Sequence, residues 1–217
     1  MLIVIGGMIG LGKTSVGEAL AKEFNGKMYY ESVDDNPILP LYYTATEEET
    51  QRKRYPFLLQ LWFLNSRFKA LKDAANHGVN NLSIVDRSIY EDWYFAKINY
   101  DLGRMTDLEF SIYKELLDNM MEEIQGLPKK APDLMIYLTG SFQSVLDRIR
   151  NRGRAFEIDE DLKSYYKLLW DGYDAWLKDH YKHSNVYILD TDKYNVVHNL
   201  EHRKIVFNEI NALLKLK

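Results

Sequence analysis

The chain has 217 residues, 46% of them hydrophobic, no cysteine and a net charge of −4. That is enough apolar material for one sizeable core; the lack of cysteine excludes disulfides and thiolate metal sites, and the acidic balance gives no electrostatic footprint for nucleic acid. No apolar run approaches the roughly 20 residues of a membrane span and the N-terminus has no export pattern, so one cytoplasmic domain over residues 1–217, with neither nucleic-acid nor membrane partner, is expected.

Leu2–Gly6 is a short apolar run of buried-strand type, and residues 6–15 follow it as GGMIGLGKTS, leading into a predicted helix at 13–24. Gly7, Gly12, Lys13 and Thr14 satisfy G-x-x-x-x-G-K-[ST] in the context the motif requires, after a strand and at a helix start. Backbone N–H groups of Gly7-Met8-Ile9-Gly10-Leu11-Gly12-Lys13-Thr14-Ser15 would surround phosphate oxygens. Lys13 would neutralise the transferring group, and the Thr14 hydroxyl would ligate Mg²⁺. Glycine suits the loop because a Cβ would hold the backbone away from phosphate. The rival reading, a tight turn with an exposed lysine, fits this context poorly, so a bound nucleotide is expected.

A second strand, Lys27–Glu31, ends on a carboxylate, and a long helix is predicted over 47–76, its acidic start Glu47-Glu48-Glu49 being a solvated first turn. From Phe57 to Arg67 that helix is apolar nearly all round. Gln60 and Arg67, seven positions apart, lie about 20° apart around its axis and project together. Burying both without partners would cost several kcal/mol, so the protein or a ligand must supply them. Gln60 can pair with the edge of a base, with Phe63 and Trp62 as stacking surface; two satisfied core polar groups explain the pattern equally well.

The third strand, Leu82–Asp86, runs into Arg87-Ser88. Ligands of open α/β sheets sit beyond the carboxyl ends of the strands, where a single carboxylate is more often a turn residue or cap. Two together suit phosphoryl transfer: Glu31 takes the proton of a hydroxyl nucleophile, Asp86 holds Mg²⁺ or its waters, and Arg87 bridges phosphate and carboxylate. Asp92, one turn on, is a candidate partner for Arg67. No N-K-x-D guanine signature is present. Predicted helices at 89–101 and 105–125 precede a fourth strand, Asp133–Leu138, and a helix at 142–152.

Arg148, Arg150, Arg152 and Arg154 then crowd seven residues around Gly153, a helix-end glycine. Basic capping explains part of this cluster. A mobile lid over about 148–158, closing on the triphosphate, explains the rest. A predicted helix at 159–181 carries the stripe Tyr165, Tyr166, Leu169, Trp170, Tyr173, Trp176 and Leu177, read as core or dimer surface. A fifth strand, Asn185–Leu189, and a helix at 196–215 complete the chain. The five histidines show no metal-ligand spacing and read as surface. Strand and helix alternate throughout, which predicts an α/β, doubly wound, P-loop kinase-type fold: a five-stranded parallel sheet flanked by helices, with an Arg-rich lid.

Along nearly its whole length the sequence resembles the deoxynucleoside kinases, which include the deoxycytidine, deoxyguanosine and mitochondrial thymidine kinases and the bacterial deoxyadenosine/deoxyguanosine kinases. The carriers of the resemblance are the P-loop, Glu31-Ser32-Val33 for E-P-V, Asp86-Arg87-Ser88 for E/D-R-S, Gln60, Arg67 and Asp92 for the base-reading set, and Arg148, Arg152-Gly153-Arg154 and Glu157 for the lid. It implies that Glu31 deprotonates the sugar 5′-hydroxyl, that Glu157 binds the 3′-hydroxyl with a tyrosine, Tyr43 or alternatively Tyr42, and that Thr191-Asp192-Lys193 lies beside the ATP adenine. It also implies a homodimer and, through Arg67 and Asp92, a purine deoxynucleoside or deoxycytidine rather than thymidine, with the bacterial purine enzymes the best match. Ser32 departs from the family's Pro and should alter only loop stiffness. Two other readings were weighed. A nucleoside monophosphate kinase of thymidylate-kinase type would place a phosphate where Glu31 repels it; a non-catalytic nucleotide-binding module would leave the base, metal and lid candidates unused.

Overall fold

The structure, a computed structural model, describes residues 1–160 and 162–214; residue 215, the predicted end of the last helix, lies outside the described residues, as does 161. Five strands, β1 (Leu2–Gly7), β2 (Lys27–Tyr29), β3 (Ser83–Asp86), β4 (Leu134–Thr139) and β5 (Asn185–Asp190), form one parallel sheet in the order β2-β3-β1-β4-β5. β1 is central and buried along its whole length, which is why it reads as an unbroken apolar run. Register pairs Ile5 with Asp86, so the P-loop and the Asp86-Arg87 step leave neighbouring strands at the same level.

Nine helices are described: α1 (Lys13–Glu23), α2 (Leu39–Thr44), α3 (Glu47–Lys53), α4 (Tyr55–His77), α5 (Asp92–Asp101), α6 (Asp107–Gln125), α7 (Phe142–Arg152), α8 (Leu162–His180) and α9 (Leu200–Leu214). The stripe on α8 is core: Tyr166, Leu169, Tyr173 and Trp176 are all buried. None of these helices is long and apolar enough to cross a membrane.

Two predicted elements differ in extent, and one helix was not predicted. The helix expected over 47–76 is two helices, α3 and α4, because Pro56 in the first turn of α4 cannot donate to the preceding turn and Arg54 breaks the path at φ 56°. β2 stops at Tyr29, leaving Glu31 on the loop beyond it rather than at the strand's last position. α2 has no counterpart in the predicted elements. Its signal is the Asn36 side chain, which accepts from the N–H groups of Ile38 (2.9 Å) and Leu39 (3.1 Å), followed by Pro40 in the first turn.

Arg54 also fixes where α4 begins. Its Nε donates to Glu109 at 2.6 Å, its Nη2 pairs with the same carboxylate, and Glu109 closes a capping box with Thr106 at the start of α6. The Arg54 hydrogen bonds are the main reason the Glu109 carboxyl is held at about 2. A carboxyl depressed on folding stabilises above its ordinary range and loses that stabilisation as pH falls toward its folded value. Glu109→Ala should therefore cost about 1–2 kcal/mol at neutral pH, and urea denaturation should show the deficit shrinking as pH is lowered toward 2.

Candidate active site

The carboxyl ends of β1, β2, β3 and β5 open on a cleft of about 990 Å³. β1 enters it through Gly7, whose φ of 130° and closeness to β4 admit no side chain: a Cβ there would lie 2.5 Å from the Leu138 carbonyl oxygen. Strand packing, rather than phosphate, thus demands glycine at this first position. Gly12, at φ 85°, ends the loop as the N-terminal flank of α1, and no side chain caps that helix start. The first N–H groups of α1 are left facing the cleft, an arrangement that attracts phosphate.

Ile9, Gly10, Leu11, Gly12, Lys13, Thr14 and Ser15 line the cleft, whereas Gly7 and Met8 lie beneath it. Gly7 and Met8 act through their carbonyls, which accept from Lys13 Nζ at 3.0 and 2.9 Å. Burial, reinforced by Arg87, brings the Lys13 amine down to about 7 against the pull of three carboxylates. Thr14 donates its hydroxyl to Asp86 Oδ2. The other Asp86 oxygen is buried with no hydrogen-bond partner among the described residues, and burial together with the charge of Glu31 raises this carboxyl. An orphaned carboxylate oxygen beside a threonine hydroxyl fits a hard cation. No cluster of three or more acidic or histidine side chains among the described residues could hold a metal by itself.

Arg87 is the centre of the charged floor. Held at φ 55°, an uncommon conformation for a side-chain-bearing residue, it donates Nη2 to the Gly7 carbonyl (3.0 Å) and Nη1 to the Tyr173 hydroxyl (2.9 Å). Its Nε lies 3.3 Å from Glu31. Glu91, fully buried, accepts from Gly7 N–H at 3.0 Å and from the Tyr173 hydroxyl, so both polar groups of Gly7 are tied to this cluster. Neither Glu91 nor Tyr173 stands out in the sequence. Glu91 is one of two adjacent acids, and Tyr173 is one ring in a core stripe.

Glu31 lies on the cleft wall, 14% exposed, and pairs with Arg67 Nη2. Burial alone would raise its carboxyl, but Arg67, Arg87 and Lys13 outweigh it and hold it at about 2. Gln60, Phe63 and Arg67 share the acceptor end of the cleft, with the guanidinium 4.3 Å over the Phe63 ring. Asp92 is placed differently from the expectation of a direct base reader. It is wholly buried behind Arg67, pairs with Arg67 Nη1, and does not line the cleft.

Tyr42 and Tyr43 both face the cleft, but the Tyr42 hydroxyl is engaged with Asn99 (2.8 Å) and Arg104 (2.9 Å). Tyr43 stacks on Phe156, the residue before Glu157, and burial pushes its phenol well up, with the charge of Glu157 a smaller contribution. Glu157 pairs with Arg152 and lies 3.5 Å from Arg154, which also reaches Asp34 at 2.6 Å. Arg148 points the other way, to the Leu11 carbonyl (3.2 Å) and the Thr191 hydroxyl (2.7 Å). Arg150 is exposed against Asp147, off the cleft. Of the 191–193 segment only Thr191 lines the cleft. The Asp192 carboxylate instead accepts from Ser141 N–H at the start of α7, and Lys193 lies over the Tyr194 ring. The wall continues through Tyr194 to His198, so one histidine expected at the surface borders the site.

The cleft therefore has a phosphate-binding end, a charged floor and a buried amide–guanidinium end in line. A sequence model described as deoxynucleoside kinase matches residues 3–215. Deoxyguanosine kinase of Lactobacillus acidophilus is 42% identical over 217 residues, covering 99% of this chain and 91% of the relative. Deoxyadenosine kinase of the same organism is 41% identical, covering 99% and 96%. Among solved structures, deoxyadenosine kinase from M. mycoides with bound dATP superposes with a TM-score of 0.79 at 27% identity, covering 97% of this chain and all of that one.

Proposed function

This chain belongs to the deoxynucleoside kinase family, and from that membership we propose that its cleft transfers the γ-phosphoryl group of ATP to the 5′-hydroxyl of a purine deoxynucleoside, in nucleotide salvage. The observation that carries the reading is the position of Glu31: its carboxylate lies between Arg87 at the phosphate end and Arg67 at the end built of Gln60 and Phe63. A sugar bridging those ends would present its primary alcohol to Glu31. The 5′-oxygen bonds to the γ-phosphorus as the bond to the β,γ-bridging oxygen breaks, ADP leaves, and the proton passes to Glu31. Lys13 and Arg87 carry charge on the phosphoryl oxygens, and the lid arginines Arg148, Arg152 and Arg154 close over the triphosphate. Thr14 and Asp86 would hold Mg²⁺, which supplies electrostatic stabilisation to those oxygens.

Purine preference rests on Arg67, the residue Asp92 anchors, and on relatives named for deoxyguanosine and deoxyadenosine. An acceptor monophosphate is disfavoured, because Glu31 would face its charge. Labelled ATP should transfer phosphate to deoxyadenosine or deoxyguanosine and not to the corresponding monophosphates; transfer only to monophosphates would overturn the assignment.

We read residues 1–217 as one cytoplasmic domain with a lid at about 148–158, acting as a homodimer. Support for the dimer is an exposed row on α6, Leu108, Ile112 and Leu116, one turn apart and next to α4, where Leu58 is exposed as well. Ile112→Lys with Leu116→Lys should shift sedimentation to the monomer. A double variant that still sediments as a dimer would place the interface elsewhere.

A further inference from the structure

We propose that Arg67 masks Glu31 until a nucleobase draws the guanidinium away, and that this mask keeps the ATP-loaded enzyme from transferring its phosphoryl group to water. The inference rests on the kinase reading above and assigns Arg67 a second task within it.

One guanidinium spans two sites. Arg67 Nη2 is on Glu31, the group placed to take the proton, and Nη1 is on Asp92 at the end where a base would be read. The same Glu31 oxygen also lies 3.3 Å from Arg87 Nε. A carboxylate so engaged is a poor proton acceptor, in keeping with its low basicity. The danger it averts follows from the shape of the cleft. With ATP alone on the P-loop, the remaining space beside Glu31 admits water where the sugar hydroxymethyl would sit. An unmasked Glu31 would serve either nucleophile. In hydrolysis the water oxygen bonds to the γ-phosphorus while the bond to the β,γ-bridging oxygen breaks; ADP departs with the electron pair and the water proton goes to the carboxylate.

The release signal is written at the other end. Gln60 Oε1 and Arg67 Nε, on two residues that line this end of the cleft, are both buried and find no hydrogen-bond partner among the described residues. Buried polar atoms left unpaired are costly, and a nucleobase edge brings both donors and acceptors to this spot. Arg67 has reason to turn toward the base, and it lies over the flat Phe63 ring, which does not obstruct a small pivot. Base recognition is thereby converted into basicity at Glu31, so the correct substrate assembles the catalytic group.

The test is phosphate release from labelled ATP-Mg²⁺ by the full-length enzyme without a phosphorylatable nucleoside. Adding 2′,5′-dideoxyadenosine or 2′,5′-dideoxyguanosine, which present the base but no 5′-hydroxyl, should raise the rate about 10-fold or more at concentrations that compete with the parent nucleoside. Arg67→Met should raise the basal rate by a similar factor and abolish further stimulation, and combining it with Glu31→Gln should return the rate to the wild-type level. An enzyme that phosphorylates deoxynucleosides yet shows no stimulation by the competing dideoxynucleosides overturns the mask, whatever the folding of the variants. An enzyme that phosphorylates no deoxynucleoside overturns the kinase reading instead.

Discussion

Replacing Glu31 with Gln will lower kcat by about 10²- to 10⁴-fold while leaving ATP affinity nearly unchanged. The amide keeps the shape of the side chain but cannot receive the 5′-hydroxyl proton, and the ion pairs Glu31 makes among the described residues are with Arg67 and Arg87 rather than with the P-loop. The fold should survive. Removing one member of a buried ion pair ordinarily costs about 3–5 kcal/mol, because the partner is left uncompensated. Here each arginine retains a second carboxylate, Asp92 for Arg67 and Glu91 for Arg87, so a loss of about 1–2 kcal/mol is expected. Labelled-phosphate kinetics, calorimetric titration with a non-hydrolysable ATP analogue and thermal denaturation check the three statements. Turnover like the wild type would remove Glu31 from the mechanism.

The parts of this site that were readable in the sequence are those whose chemistry is local. The P-loop is a contiguous pattern whose neighbours declare themselves by periodicity, and β1, β3 and β4 are apolar runs because both faces of the sheet are covered. Gln60 and Arg67 were visible as polar residues in a helix with no polar face, and both are buried. What was not readable depends on where the chain returns. Tyr173 reads as core because it is core; only the packing of α8 against α5 and against Tyr137 of β4 puts its hydroxyl on Arg87 and Glu91. Asp92 carries the same letter whether it faces a ligand or stands behind the arginine that does. The break at Arg54 was legible in principle, since Tyr55-Pro56 sits inside the predicted helix, but the apolar and acidic pattern runs through it without a change of period. The donor-side wall from Tyr194 to His198 lies in a loop beyond β5, where no periodicity marks which side chains face inward.

Arg87 is the residue whose loss should damage the enzyme in two ways at once, and the two can be separated. Its guanidinium fixes the Gly7 carbonyl, the Tyr173 hydroxyl and Glu31 with three different nitrogens, so it sets the distance between the start of the P-loop and the proton acceptor. Lys13 shares the Gly7 carbonyl in this structure. Once Lys13 turns to phosphate, Arg87 is left as the side-chain donor holding that carbonyl. Arg87→Met removes the charge from a site where the fully buried Glu91 and the half-buried Glu31 lie against it, and should cost about 3–5 kcal/mol of stability and about 10³- to 10⁵-fold in kcat. Arg87→Lys decides how much of the kinetic loss is geometric. An ammonium restores one positive charge and should recover part of the melting temperature, but it cannot hold a carbonyl, a phenol and a carboxylate in one plane. Its kcat should stay at least about 10²-fold below the wild type. If the lysine enzyme instead turns over at the wild-type rate, charge alone is what the floor of the cleft requires, and the forked clamp on Gly7 has no part in catalysis.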